Sequence, residues 1–416
     1  MIRHLFKVIW NERKHNIGVW IELLLVGLFL WYMVDYMYVS LTNYFEPLGF
    51  DTEHTYIMRL GLLNESSPEY IKDIPEDARV GYLHTALERM QHNPMVEAAS
   101  ISFVSSPHNG GNRSQNIYHD TLTIQGVLHR KVTPDFFRVF RYQSKNGSID
   151  ELVRALERNE LVISPDVEKK LFKNSESAVG QFVSFEQSDS AQMYRVGAVS
   201  TVIRYDNFSS WSSYYADAIN DESLGAFSDG YISILEFCVR VKPEEDHDFI
   251  LRFRQDMTQQ LRLGNYYLSE IQSIPANKKA FQKDNINDLQ IRFFIILFLL
   301  VNIFLGITGT FWFRTQYRRG EIGVRIAVGE TSKGALRLYY AEGLLLLTLA
   351  IVPVMALFAF LGKMEILHYY WEFNMWRYAI GFVVTFLLLA AMILLGIWFP
   401  AHKAVHVPPA VALREE

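Results

Sequence analysis

Cysteine is nearly missing from this chain. Cys238 is the single one among 416 residues, which excludes an internal disulfide framework and any multi-thiolate zinc site. An excess of positive charge is missing too: 40 Lys plus Arg stand against 45 Asp plus Glu, a net charge of -5. No global basic field exists to hold nucleic-acid phosphates, so no nucleic acid is expected as a partner. The motifs of phosphate and acyl chemistry are also lacking. No G-x-x-x-x-G-K-[ST] occurs, and Gly329, followed by Glu330, Thr331, Ser332 and Lys333, lacks the glycine-rich cradle of a P-loop. There is no H-E-x-x-H, no G-x-S-x-G and no deaminase or kinase signature. A non-catalytic chain is expected, with no metal and no cofactor of its own. Charge of either sign is scarce, 20% against 50% hydrophobic residues, which argues that part of the chain lies in lipid.

Four long apolar runs are present: Ile17–Val34, interrupted by Glu22, and the uncharged Phe293–Phe313, Gly343–Gly362 and Tyr378–Phe399. At about 1.5 Å per helical residue each can cross a hydrocarbon core of about 30 Å. The first lacks a small-x-small cleavage pattern and continues through Asp35, Tyr36 and Tyr38, so it reads as a retained anchor. Basic residues flank the spans unevenly. Arg3, Lys7, Arg13, Lys14, Arg314, Arg318, Arg319, Arg325, Lys333, Arg337, Lys403 and Arg414 fall on one side, against Lys363 and Arg377 in the short opposite loop. The positive-inside rule then puts both termini in the cytoplasm.

The expected organisation is an amphipathic cytoplasmic segment 1–16, transmembrane helix 17–41, an extracytoplasmic domain 42–288 and transmembrane helix 289–313. A cytoplasmic loop 314–342, helix 343–362, short outer loop 363–377, helix 378–399 and cytoplasmic tail 400–416 follow. The domain 42–288 carries 25 Lys plus Arg against 35 Asp plus Glu; long loops translocate regardless of such a balance. Within it Thr55–Leu63, Ile101–Ser105, Thr121–Leu128, Leu161–Ser164, Tyr194–Tyr205 and Tyr231–Val241 carry the strand signal of β-branched and aromatic residues between turn formers. Glu151–Arg158 and Pro165–Phe172 read as short helices, and Asp246–Leu263 as a longer one with Phe249, Phe253, Met257 and Leu261 on one stripe. Ser105–Gln115 and Asn207–Gly230 read as loops. Asn277–Arg292 is expected to run as one continuous helix into span two. The fold class is therefore a membrane protein with four transmembrane α-helices and a large α+β domain, extracytoplasmic (periplasmic), inserted between spans one and two.

Candidate sites are few. Five histidines, His84, His92, His108, His119 and His129, crowd one stretch, but their spacing matches no ligand motif. Glu22, roughly 7.5 Å into span one, and Asn302 in span two are a candidate intramembrane polar site. The bland alternatives are snorkelling or pairing with a basic residue for Glu22, and helix packing for Asn302. Pro353 reads as a kink. Glu321–Val328 reads as a short cytoplasmic helix with Ile322 and Ile326 on one face, Gly323 and Ala327 on another, and Gly329 as its stop. Spacing alone leaves open whether it docks on a partner or rests on lipid headgroups.

The nine residues Glu321–Gly329, EIGVRIAVG, resemble the E-I-G-[VI]-R-x-A-[LV]-G signature of FtsX-like permeases of the MacB type in ABC transporters. VTPDFFRVF (132–140), LVISPDVEKKLF (161–172) and YRVGAVSTVIRY (194–205) resemble their periplasmic core domain, and FPAHKAVHVPPAVALREE (399–416) resembles their cytoplasmic tail. Ile326 stands where the family often has a basic residue, and Glu330 where a small one is common. The resemblance implies that Glu321, Ile322, Gly323, Arg325, Ile326, Ala327 and Gly329 form an ATPase-coupling helix. It implies two ABC ATPase subunits as separate partner chains that bind the ATP and Mg, and a second permease copy or paralogue. It further implies a bacterial inner-membrane location and, in efflux systems, a periplasmic adaptor and an outer-membrane channel. The activity it implies is mechanotransmission: ATP hydrolysis in the cytoplasm moves periplasmic domains, for efflux of a periplasmic substrate or, alternatively, lipoprotein release or peptide sensing. A passive membrane-anchored receptor or adhesin is the alternative of another class, and it would have no use for the loop helix.

Overall fold

The computed structural model describes residues 10–11, 13–172, 177–188, 190–209, 212–317, 320, 324, 328–329, 331–367 and 374–405. The chain divides into two compact units, Phe45–Asn285 and a second made of Met1–Tyr44 with Ile286–Glu416.

The first helix, α1 (Arg13–Phe45), outlasts its apolar run. The domain then follows as β1 (Thr55–Leu62), α2 (Glu76–Gln91), β2 (Val96–Phe103), β3 (Ser114–His119), β4 (Leu122–Val132), α3 (Phe136–Val139) and α4 (Ile149–Glu157). Next come β5 (Leu161–Ile163), α5 (Pro165–Leu171), β6 (Phe182–Val183), β7 (Tyr194–Val199), β8 (Tyr214–Ala218), α6 (Asp221–Gly225) and α7 (Asp229–Ile232). It closes with β9 (Leu235–Val241), α8 (Phe249–Met257), β10 (Tyr266–Ser273) and α9 (Ile274–Phe281). The membrane unit resumes in α10 (Lys283–Tyr317), α11 (Ser332–Lys363) and α12 (Met375–Val405).

The strands form one mixed sheet in the order β10-β1-β9-β2-β4-β8-β5-β7-β6, with β3 on β4. The β4–β8 and β5–β7 pairs are parallel and the others antiparallel. β9 is buried along its whole length, including Glu236 and Arg240, as befits a central strand. One end of the sheet packs on Leu83 and Met90 of α2 and on Phe249, Phe253 and Met257 of α8, with Leu261 beyond. That is the four-residue stripe read from the sequence. At the other end a bridge from Tyr118 to Ser184 joins β3 to the segment after β6, enclosing Ile117, Val127, Ile163, Val183, Val196 and Tyr215. Pro165 opens α5 at the position where a missing N–H costs nothing.

Several expectations need correction. α2, β3, β8 and β10 are regular elements that the sequence did not reveal, and β8 lies inside Asn207–Gly230, expected to be a loop. Tyr231–Val241 is a strand only from Leu235, after the turn of helix α7. The stretch Tyr194–Tyr205 is a strand only to Val199. The helix ahead of span two is broken. α9 ends at Phe281, Gln282 caps it, and α10 starts afresh at Lys283.

Among the described residues of the membrane unit four helices are long and apolar enough to cross a bilayer, at Asn16–Phe45, Lys283–Thr310, Leu336–Lys363 and Met375–Trp398. Leu23, Leu30 and Trp31 of α1 pack with Leu347, Ala350 and Val354 of α11 and with Leu389 and Ile393 of α12. Small residues permit the approach: a Cβ on Gly381 would lie 2.8 Å from the Trp31 indole nitrogen. α11 runs through Pro353 without a break. Span two is the outlier, 11% buried against 28, 33 and 39% for the others.

Candidate functional site

Of the loop proposed to couple to an ATPase, Glu321, Ile322, Gly323, Arg325, Ile326 and Ala327 lie outside the described residues, as do residues 1–9 and the tail from 406. Val324, Val328 and Gly329 are the residues of Glu321–Gly329 that are described. The Val328 amide donates to the Val324 carbonyl at 3.0 Å, one α-helical turn, and Gly329 follows with φ of 103°. A positive φ of that size suits glycine and ends a helix. Val324 and Val328, both exposed, fall on one face a turn apart. Thr331 then caps α11, its side chain accepting from the Gly334 amide.

Glu22 and Asn302 do not come together. The Glu22 carboxylate accepts a hydrogen bond from the Thr310 hydroxyl of α10 at 3.1 Å, and a Cβ on Gly306 would lie 3.3 Å from its other oxygen. Glu22 thus meets a hydroxyl of span two, where the sequence favoured snorkelling or a basic partner. Asn302 bends back to donate to the Phe298 carbonyl of its own helix at 2.8 Å and faces outward. Sequence reasoning passed over Asp35 and Arg377. The Arg377 guanidinium grips the Asp35 carboxylate with two bonds, 2.7 and 2.6 Å, both groups fully buried, and so ties span one to span four beside Trp31, Tyr378 and Phe382. Their position just beyond two apolar runs was the available signal.

The histidines scatter. His84 meets Asp221, His92 the Glu88 carbonyl, His119 the Phe182 carbonyl and His129 the Asp217 carboxylate. Burial would raise the Asp217 pKa, but the hydrogen bond and charge of His129, with Lys131 beside it, hold it below the ordinary value. His108 is buried with neither ring nitrogen hydrogen-bonded, and burial, helped by the charges of Lys278 and Arg130, lowers its pKa to about 4. Among the described residues no group of three or more His, Cys, Asp or Glu could hold a metal ion.

A connected polar structure sits where the chain enters and leaves the domain. Residues 46–51 form a strap between α1 and β1. The Arg204 guanidinium, buried, donates to the carbonyls of Glu46 at 2.9 Å, Asn207 at 3.1 Å and Ser209 at 2.9 Å, while its amide donates to the Leu48 carbonyl. Gly49, with φ of 84°, lies so close that a Cβ would stand 2.0 Å from the Val202 carbonyl oxygen. The same loop holds the exit. Asn207 accepts from the Gln282 amide at 2.9 Å, and Tyr205 meets Phe281 edge to face. A single loop, 201–209, therefore grips both the strap that follows α1 and the helix end that precedes α10.

Two family models match. The MacB-like periplasmic core domain covers residues 40–248, and the FtsX-like permease C-terminal covers residues 293–409. The chain belongs to the FtsX-like permease family. No curated relative matches it. Among solved structures it is similar to the periplasmic region of MacB from Actinobacillus actinomycetemcomitans, at 12% identity and a TM-score of 0.35, covering 57% of this chain and 97% of that one. It is similar also to a domain of a permease protein from Porphyromonas gingivalis, at 17% identity and a TM-score of 0.32, covering 52% of this chain and 90% of that one. FtsX-like permeases are membrane subunits of ABC transporters. In this member the FtsX-like match runs from within α10 through residues 318–331 and α11 to just past the end of α12. The MacB-like match takes in the strap and the loop 201–209.

Proposed function

We propose that this permease is the membrane subunit of a MacB-type ABC transporter in which two separate cytoplasmic ATPase subunits bind ATP and Mg, and in which their work moves the large domain between spans one and two. Both termini and the loop 314–342 face the cytoplasm of the inner membrane, and the domain faces the periplasm. The reading is carried by one observation: the EIGVRIAVG loop, which ends in a Val328 amide bonded to the Val324 carbonyl and in Gly329 at a positive φ, lies in a chain of the FtsX-like family. The grip of the 201–209 loop on both connections supports it, because a domain that is to be moved from the membrane needs firm joints. The outward apolar face of span two, with Phe294, Phe298 and Leu305 exposed, suits a second permease copy or paralogue.

Efflux of a periplasmic substrate through an adaptor and an outer-membrane channel is the transport mode we assign; lipoprotein release and peptide sensing are the alternatives within the same mechanism. Co-purification from the native membrane identifies the partner chains and separates these modes. The coupling role is tested by Gly323→Leu, which puts a bulky side chain on the segment that the resemblance implies docks on the ATPase. Cassette association and permease-stimulated ATP hydrolysis should fall together, while insertion of the spans and folding of the domain persist. Wild-type association and stimulation would refute it and leave the loop an interfacial helix.

A further inference from the structure

His108 is 3% exposed, and neither of its ring nitrogens is hydrogen-bonded among the described residues. Buried polar groups are nearly always bonded, so such a ring calls for an explanation. The loop that carries it leaves it no escape. Its φ is 58°, a value that residues with a side chain rarely adopt. The Glu236 carboxylate of β9 accepts from the Ser105 amide at 2.9 Å, the Ser106 amide at 2.8 Å and the Asn109 side chain at 2.8 Å, which clamps the chain on both sides of the ring.

The elements that close over this ring are those that form the two joints of the domain. Phe50 of the strap and Phe281 at the end of α9 each stand with ring centroids 6.1 Å from it, and Tyr205 of the 201–209 loop packs on the same Phe281. The charges that act on it come from three elements. Lys278 of α9 and Arg130 of β4 oppose a proton on the ring, and Asp206 of the 201–209 loop favours one. Asp206 is already engaged, accepting from the Phe208 and Ser209 amides at 2.7 Å each. Arg130 is itself buried, and its Nε has no hydrogen-bond partner. Tyr142, stacked on Phe50, and Tyr205 keep their protons, since burial pushes the first up to about 12 and raises the second. Of all these groups His108 is the one whose ordinary pKa falls between neutral and mildly acid pH. A neutral imidazole fits here as an aromatic disc. An imidazolium would hold two donors with no acceptor in place, beside two cations.

We propose that His108 is an acid-operated latch: as the neutral ring it lets the strap, α9 and the 201–209 loop close on one another, and on protonation it prises them apart, releasing both connections of the domain together. The latch does not rest on the transport reading; in a domain that faces the periplasm it would make the joints answer to outside acidity. Because the ring binds its proton less readily closed than open, the closed form is favoured above about pH 6.5 and loses ground as pH falls toward 4. With a pKa of about 4 closed and about 6.5 open, the open-to-closed ratio should rise about 25-fold from pH 7.5 to pH 5.

Native-state hydrogen exchange on the full chain in detergent, corrected for the chemical exchange rate at each pH, measures that ratio. The reporting amides are Asp51, which donates to Phe140, Arg204, which donates to Leu48, and Gln282, which donates to Lys278. All three should exchange faster than the amides of β9 at both pH values, and their protection should fall about 25-fold on going from pH 7.5 to pH 5. In His108→Leu it should change by less than about twofold over the same range. Should that variant fail to fold, His108→Asn, which tolerates a positive φ and does not titrate, takes its place. Joint amides that exchange only as fast as those of β9 would mean that the joints open with the whole domain, and would overturn the latch. Protection that holds or rises in acid, as it would if the charged ring paired with Asp206, overturns it too, and so does an acid loss that survives in the His108 variant.

Discussion

Replacing Arg204 by methionine keeps the length of the side chain and removes its donors. The buried guanidinium satisfies the carbonyls of Glu46, Asn207 and Ser209. Each acceptor left dry costs about 1–3 kcal/mol. Part of that sum returns, because a cation whose pKa burial has already lowered no longer needs to be desolvated. A net loss of about 3 kcal/mol follows from those two terms. For a domain the size of Phe45–Asn285 that corresponds to a melting temperature lower by roughly 6–12 °C. Arg204→Lys, which keeps the charge but cannot fork toward three carbonyls, should fall between. Thermal unfolding of the full chain in detergent measures the first quantity. Hydrogen exchange locates it: protection should drop at Asp51, whose amide donates to Phe140, and at Phe208 and Ser209, whose amides donate to Asp206, before it drops in β9. A methionine variant within about 1 kcal/mol of the wild type, or one with unchanged exchange in the strap and the 201–209 loop, would refute the idea that Arg204 pins the strap.

Three further outcomes are expected. Gly49→Ala should destabilise the domain by about 2–5 kcal/mol, since it adds the strain of a left-handed backbone to a Cβ that collides with Val202; equilibrium unfolding measures it, and a neutral result would mean that the strap lies elsewhere. Asp35→Asn leaves Arg377 buried without its counter-charge and should cost about 3–5 kcal/mol, read as faster proteolysis and earlier aggregation on heating, whereas the pair replaced by Asp35→Leu with Arg377→Met should recover most of the loss. His108 is neutral when folded, with a pKa near 4 against the ordinary 6.5. The unfolded chain therefore binds the extra proton between those values, so stability is full above about pH 6.5 and falls as pH drops toward 4, by up to about 3 kcal/mol. His108→Leu should flatten that part of the profile, and a profile identical to wild type would count against the assignment.

What the sequence discloses follows physical reach. The spans were legible because composition over some twenty residues decides insertion in a bilayer. β1, β5 and β9 were legible because β-branched, aromatic and aliphatic residues dominate each of them, with few charges between. β8 was not: YYADA is flanked by Ser, Asp and Asn, and it becomes a strand by pairing with β4 and β5, which lie far away in sequence. α2 was missed because Leu83, Ala86 and Met90 are its only fully buried residues, too few for an apolar stripe. At the site, EIGVRIAVG could be read directly, whereas the partner of Glu22 is 288 residues away and that of Asp35 is 342 away. The strap lies deeper still. Gly49 and Arg204 look like an ordinary turn glycine and a surface arginine until the fold brings them together.

The central claim is that ATP turnover in the cytoplasm moves the domain between spans one and two. Its most direct measurement is the distance between spin labels at position 146, on the Asn146→Cys variant with Cys238→Ser, in two permease copies reconstituted with their ATPase subunits. The distance distribution should shift when ATP with vanadate is added, and Gly323→Leu should abolish the shift. A distribution identical with and without nucleotide, in a complex that hydrolyses ATP, would contradict the account.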